Sequence, residues 1–588
     1  MKWSGRSRCA LVCVFFALLF SIFSYRLIHL QMVMHPYYSQ LAAEKNVGRN
    51  LIPAERGAIY DARNEVLAQN VPVATVVADA TLIRDANALV PLLAEHLQVP
   101  QEEIAAKIST RRPYIVLKRE VPDREARLLE KILRDRKLRG VYGERGTVRV
   151  YPNGPMLCHV IGFADFHQRG IQGVEASMDH YLRGQDGYRF IERDAQGGEI
   201  VLYRGLERPP RNGCRVYLTI DMGLQTIVEN ELDAAMREYR PSKATIILMR
   251  PQTGEILAMA NRPNFDLNLR AKAKPEEMKN RAIIDMMEPG STFKIVTAAA
   301  ALNENKVRLD STIFCENGVW NVGGRPLHDH GHKGYGELSV QDILVHSSNI
   351  GAAKMAVMLG EQKFYEYIRR FGFGDRTGIE LPGEIRGMVH PPRSWSKISI
   401  TRIPMGQEVG VTPLQMLMAM ATVANGGKLV QPRIVQKVID DKGKALGALK
   451  PTVVRQVISP QTASQIALAL RGVVSKRGTA AEAAVPGFTI SGKTCTAQKA
   501  APGGGYEKNK YVVSFSGFLP SEDPAFVALV VLDDAHPKDP ALNYGGTVAG
   551  PIFSRVAEKA ARYLDLEPHE EIGTQTPGGR VALTNAHR

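Results

Sequence analysis

Ser291 and Lys294 stand three residues apart, directly after Pro289-Gly290 and at the head of an apolar run through Phe293, Ile295, Val296 and the alanines 298–301. The pattern predicts a helix from about Ser291 to Asn303–Asn305, with both side chains on one face of its first turn. That turn offers unpaired backbone N–H groups and the positive end of the helix dipole, which stabilise an alkoxide or oxyanion. A lysine partly desolvated there loses proton affinity and can take the serine proton, so nucleophile and base need no histidine. The spacing alone is weak evidence. Ser394-Trp395-Ser396-Lys397 shares it, in a Pro-flanked stretch without a helix start, and is read as coincidence.

Two further motifs follow in order. Ser347-Ser348-Asn349 comes after the apolar stretch Val340–Val345. The Ser347 hydroxyl can relay a proton between Lys294 and a leaving group, and the Asn349 amide can hold a substrate carbonyl or Lys294 itself. Lys493-Thr494-Cys495-Thr496 ends a β-prone run that begins at Phe488. Strand alternation puts Thr494 and Thr496 on the face that meets an extended substrate, and Lys493 and Cys495 on the other. Lys493 is expected to supply positive charge for a substrate carboxylate by reaching round an edge strand, while the Cys495 thiol turns away from the substrate. Backbone N–H groups of Ser291 and Thr496 can form an oxyanion hole. No cofactor or metal is implied. His328-Asp329-His330-Gly331-His332, and the group Asp533, Asp534, His536 and Asp539, are read as polar loops rather than metal sites.

These residues need a scaffold that brings distant segments together. Ala244–Met249 and Glu255–Ala260 read as a hairpin across Pro251-Gln252-Thr253-Gly254, followed by a long helical region to about Gly372. Strands return at Phe488–Thr496, Tyr511–Phe518 and Phe526–Leu532, before a helix from Pro551 to about Leu564. The simplest assembly pairs early and late strands in one antiparallel sheet covered by helices. Ahead of it, Val73–Ala78 is β-rich and Arg124–Arg136 has amphipathic helical spacing, so residues 51–210 read as mixed α and β. The Pro/Gly/Arg cluster at 208–213 is the best boundary between the two. The fold class is α+β and multidomain, which suits 588 residues.

Lys2, Arg6 and Arg8 precede an apolar run from Cys9 to Tyr25, and Arg26 can snorkel to extend it. The basic flank places residues 1–8 in the cytoplasm. With no small-residue cleavage site after the run, it reads as a retained anchor over 9–30, with the rest exported. The expected division is therefore a tail 1–8, an anchor 9–30, a pedestal 31–210, a catalytic domain 211–566 and a disordered tail 567–588. The formal net charge of +15 is spread without dense Lys/Arg runs. Zinc-finger and RNP-type patterns are missing, so nucleic-acid binding is not expected. Cys9 and Cys13 lie in the anchor, while Cys158, Cys214, Cys315 and Cys495 are scattered and read as isolated thiols.

The three motifs, in this order, resemble those of penicillin-binding proteins and β-lactamases. The glycine expected third in the last motif is Cys495. More of the chain is similar to class B, monofunctional penicillin-binding proteins. The supporting segments are Arg56-Gly57-Ala58-Ile59-Tyr60-Asp61 through Ala68, Gly173-Val174-Glu175, Leu218–Asp221, Thr253–Met259, and Met405-Gly406-Gln407-Glu408 through Gln415. The resemblance implies a periplasmic D,D-transpeptidase. Ser291 would attack the penultimate D-Ala of a peptidoglycan stem peptide, and β-lactams would acylate the same serine. It implies catalytic roles for Ser291, Lys294, Ser347, Asn349 and Lys493, and substrate binding by Thr494 and Thr496. It also implies a membrane glycan polymerase and division or elongation proteins as partners. The stretch Arg193-Asp194-Ala195-Gln196-Gly197 leans toward the septal branch. A β-lactamase would need neither pedestal nor anchor, and a D,D-carboxypeptidase usually carries its accessory domain after the catalytic one. The remaining alternative is a catalytically reduced structural component of the cell-wall complex, for which Cys495 is the main support.

Overall fold

The computed structural model describes residues 5–38, 47–192, 207–332, 334–448, 450–501 and 505–568. Arg193–Gly197 and nearly all of the expected tail 567–588 lie outside the described residues. The chain divides into two compact units, Met1–Glu55 with Arg183–Gly213, and Arg56–Leu182 with Cys214–Arg588.

In the first unit, α1 (Gly5–Ile28) begins a segment Cys9–Val33 of mean hydropathy 2.3, long and apolar enough to cross a membrane. Three strands, in the order Val47–Ile52, Gly187–Glu192, Glu207–Arg208, form a small antiparallel sheet.

The second unit starts with a lobe of β1 (Val66–Ala78), α2 (Ala86–Leu97), α3 (Gln101–Ser109), β2 (Ile115–Pro122), α4 (Asp123–Asp135) and β3 (Val141–Val150). β1 pairs antiparallel with both β2 and β3, and its helices close a separate core around Val76, Leu93, Ile104 and Leu129. The short strand Ile59–Tyr60 pairs with β1 on one side and runs parallel to Arg215–Leu218 on the other, so one sheet continues from the lobe into the following domain. At the lobe's base the carboxylate of Glu175 receives Arg56 Nε at 2.7 Å and Arg149 Nε at 2.7 Å, all three side chains being buried. Two of the segments that carried the family resemblance are therefore joined by ion pairing.

The following domain is built on a five-stranded antiparallel sheet. After α5 (Met222–Tyr239) come β4 (Lys243–Met249) and β5 (Ile256–Arg262), the expected hairpin. A 3-10 turn Gly290–Phe293 leads into α6 (Lys294–Asn303), followed by α7 (Asn349–Leu359), α8 (Pro413–Ala424) and α9 (Pro460–Val474). Then β6 (Ser491–Ala500), β7 (Tyr506–Leu519) and β8 (Phe526–Asp533) complete the sheet in the order β5-β4-β8-β7-β6, and α10 (Gly550–Tyr563) closes the domain. Early and late strands meet where β8 pairs with β4, and β6 is left as an edge. The alanine-rich α6 is buried along its length, because small side chains let it run through the core.

Candidate active site

Residues singled out in two separate motifs converge on one buried amine. Lys294 Nζ lies 3.1 Å from Ser291 Oγ, 2.6 Å from the Ser347 carbonyl, 3.1 Å from Ser347 Oγ and 2.7 Å from Asn349 Oδ1. The two shorter contacts are to carbonyl oxygens, which only accept; the two longer ones are to hydroxyls, which can also donate. A neutral amine fits this set by donating its two hydrogens to the carbonyls and accepting through its single lone pair from one hydroxyl at a time. Burial favours that form. Lys294 is fully buried, and desolvation, reinforced by the neighbouring charge of Lys493, holds its pKa well below the ordinary lysine value.

Local structure explains the convergence. The break at Gly290 (φ +49°) starts the turn, so Ser291 sits half-buried within the 3-10 turn and Lys294 opens α6 proper. Gly406 (φ +83°) lies against that turn; a Cβ there would come within 2.3 Å of the Gly290 backbone, so only glycine permits the approach. Ser347 has φ +60°, sparsely populated for a residue with a side chain, and this conformation turns both its carbonyl and its hydroxyl to Lys294. Asn349 is oriented by donation from Nδ2 to the His328 carbonyl at 2.8 Å.

One buried carboxylate went unassigned in the sequence. Asp329 accepts hydrogen bonds from the Ser348 hydroxyl at 3.0 Å and from the backbone N–H groups of Asn349 and Ile350 at 2.5 and 3.1 Å. It thus caps the N-terminus of α7 and fixes the Ser347–Asn349 turn. The loop 328–332, weighed as a polar loop, is a positioning element for the second motif. Its signal in the sequence was only an acidic residue between histidines. Among the described residues no group of His, Cys, Asp and Glu is arranged to hold a metal ion. Ser394, of the coincidental match, donates to Pro391 in a short 3-10 turn.

The third motif needs a correction. Alternation along β6 holds, but the face shared by Lys493 and Cys495 is the one packed against the serine turn. Lys493 reaches Ser347 Oγ directly at 2.9 Å, with no detour round an edge. It is fully buried, and desolvation brings its pKa down to about 8. The Cys495 thiol shares that face. It is 2% exposed, and a side chain on Gly290 would place its Cβ 2.5 Å from Cys495 Sγ. The thiol therefore fills the space beneath the nucleophile's turn, and burial pushes its pKa up to about 11, which keeps it protonated and inert. Thr494 and Thr496 lie on the opposite face. Thr494 Oγ1 is 3.0 Å from Thr479 Oγ1, and Thr496 Oγ1 accepts the Gly545 N–H at 3.0 Å.

Comparison with known proteins identifies the family. Residues 244–558 match the penicillin binding protein transpeptidase domain, and residues 51–218 match the penicillin-binding protein dimerisation domain. The chain is 34% identical over 571 residues to stage V sporulation protein D of Bacillus subtilis, covering 96% of this chain and 87% of that one. It is 30% identical over 569 residues to peptidoglycan D,D-transpeptidase FtsI of Escherichia coli, covering 95% and 92%. Its fold matches penicillin binding protein 3 of Mycobacterium tuberculosis, complexed with aztreonam, with a TM-score of 0.69 at 26% identity over 89% of this chain and 99% of that one. The chain belongs to the class B penicillin-binding proteins.

Proposed function

We propose that this protein is a membrane-anchored peptidoglycan D,D-transpeptidase whose nucleophile is Ser291. The observation that carries the reading is the single buried amine, Lys294, within hydrogen-bonding distance of Ser291, Ser347 and Asn349. Neutral Lys294 takes the Ser291 proton as Oγ attacks the penultimate D-Ala carbonyl of a donor stem. The oxyanion is held by the backbone N–H groups of Ser291 and Thr496. Collapse breaks the C–N bond to the terminal D-Ala, whose amine receives the proton through Ser347, and leaves an ester on Ser291. An amine from a neighbouring stem then attacks the ester, its proton returns by the same route, and the cross-link forms as Ser291 is released. Lys493 and the hydroxyls of Thr494 and Thr496 bind the substrate carboxylate.

α1 acts as a single-pass anchor with the catalytic domain on the periplasmic side, the segment up to about residue 210 as its pedestal and 211–566 as the catalytic domain. A separate membrane glycan polymerase, together with division or elongation proteins, supplies nascent strands. The test is acylation of the protein by labelled benzylpenicillin, with the adduct mapped by mass to Ser291 and abolished in Ser291→Ala. A folded sample that no β-lactam acylates would overturn the reading in favour of a structural component.

A further inference from the structure

The end of the catalytic cleft nearest Lys493 is bounded by the loop 475–478, which follows α9. Two anchors fix that loop. On one side a Cβ on Gly472, in the last turn of α9, would lie 2.5 Å from the Val345 side chain, two residues before Ser347. On the other side Thr479 Oγ1 stands 3.0 Å from Thr494 Oγ1, and Gly546 packs so closely on the Thr479 carbonyl that a Cβ would overlap it. The loop therefore spans from the flank of the second motif to the third. Its tip reaches back across the gap, where Arg477 Nη1 meets Asp342 Oδ1 at 3.4 Å. Asp342 belongs to the short helix Val340–Val345 that leads into Ser347. The pair is loose: the Arg477 side chain is 58% exposed, and an exposed ion pair at this distance contributes little. Asp342 is held without it, because its Oδ2 accepts the Ser339 hydroxyl at 2.8 Å. Its Oδ1 is buried beneath Arg477 and has no hydrogen-bond partner. Arg477 can thus change partners at small cost, opening Oδ1 to water. Lys476 beside it is exposed as well.

We propose that Arg477 docks the acceptor stem, exchanging Asp342 for a carboxylate on a residue next to the one that bears the attacking amine. The assignment rests on the acyl-transfer reading above. Chemistry sets the direction. The donor's terminal D-Ala has its carboxylate at Lys493 and Thr494, so it departs through this end of the cleft. Attack by the acceptor is the same kind of step in reverse. The amine nitrogen bonds to the ester carbon, the bond to Ser291 Oγ breaks, and the amine proton returns to Oγ through Ser347 and Lys294. The acceptor nitrogen therefore stands where the D-Ala nitrogen stood, and the rest of the acceptor extends outward past Thr479 and Arg477. Asp342 precedes Ser347 by little more than one helical turn, about 7.5 Å at about 1.5 Å of rise per residue. That span matches one or two residues of extended peptide at about 3.3 Å each. A guanidinium grips a carboxylate there with two parallel hydrogen bonds. Water brings no such group, so the contact favours cross-linking over hydrolysis of the acyl-enzyme.

The test acylates the full chain with an N-acyl-D-alanyl thioester or a D-Ala-D-Ala peptide. The acyl group is then partitioned between water and a stem tetrapeptide acceptor bearing meso-diaminopimelate or L-lysine. The ratio of cross-linked to hydrolysed product does not depend on the rate of acylation, so it reads the acceptor step alone. Acceptors amidated at the D-glutamate or at the terminal D-Ala carboxylate are compared with the free acid. In the wild type, one of the two amidations is expected to lower the ratio by about tenfold. Arg477→Met is expected to lower it as far with the free acid, and to abolish the difference between acid and amide. Acid and amides that partition alike in the wild type overturn the subsite, a result that needs no variant. A difference that persists in folded Arg477→Met overturns it too. Acylation by benzylpenicillin with no cross-linked product from any donor and acceptor overturns the subsite and leaves Ser291 as the nucleophile. Absence of acylation by every compound in folded wild-type protein overturns both readings.

Discussion

At the base of the pedestal lobe, Arg56 and Arg149 close on the two oxygens of Glu175, whereas Lys294 and Lys493, equally buried, have no carboxylate within ion-pair distance among the described residues. Both clusters join segments far apart in sequence. In the lobe each buried cation has an anion, so the charges persist and hold Arg56, Arg149 and Glu175 in one arrangement. In the catalytic centre, among the described residues, the two lysines meet only hydroxyl and carbonyl oxygens. Desolvation and the charge of Lys493, offset only in part by Asp329, favour the unprotonated form of Lys294, the form a base needs. Structural charge is paired, and chemically useful charge is left short of partners.

That contrast can be broken at five points. Lys294→Met is expected to slow acylation by benzylpenicillin by about a thousandfold or more, while leaving the melting temperature unchanged or raised, because an uncompensated buried amine is removed. A variant that melts lower would mean Lys294 is structural after all. Glu175→Gln should do the reverse and cost about 3–5 kcal/mol in denaturant titration by stranding two guanidiniums, with folded molecules still acylated. Asp329→Asn releases the cap of α7, and acylation should fall by about 10–100-fold with little change in melting. Unchanged kinetics would show that the turn holds itself.

The pH profile sharpens the picture further. Lys294 acts in its deprotonated form, so its lowered pKa moves the acidic limb of acylation well below the ordinary lysine range. Lys493 acts in its protonated form, so acylation should decline as pH rises through about 8. A profile still rising at about pH 10 would remove Lys493 from the carboxylate site. The smallest effect is expected for Cys495→Gly. Removing the thiol leaves a small void under the Ser291 turn, so acylation should change by about threefold and stability by about 1 kcal/mol. A much larger loss would make the thiol an essential support of the nucleophile.

The central sheet was legible because β4, β5, β7 and β8 are short apolar runs between clear turns, and Ser291 and Lys294 were legible because three residues of helix suffice to align them. Asp329 was not. Its importance comes from lying opposite the N-terminus of α7, a contact across twenty residues that no local pattern announces. The close approach of Gly406 to Gly290 was visible only as part of a family-like segment, without its reason.

The amino-acid sequence by itself determined the candidate groups for the chemistry, their order, and the alternation that separates Lys493 and Cys495 from Thr494 and Thr496. Those properties depend on helix and strand periods, which are local. Only the tertiary structure decided which face of β6 meets the nucleophile. The two faces of a strand are equivalent until something packs on one, and the Gly290–Phe293 turn chose the face of Lys493 and Cys495. That choice brought the lysine directly to Ser347 and placed the thiol beneath Ser291.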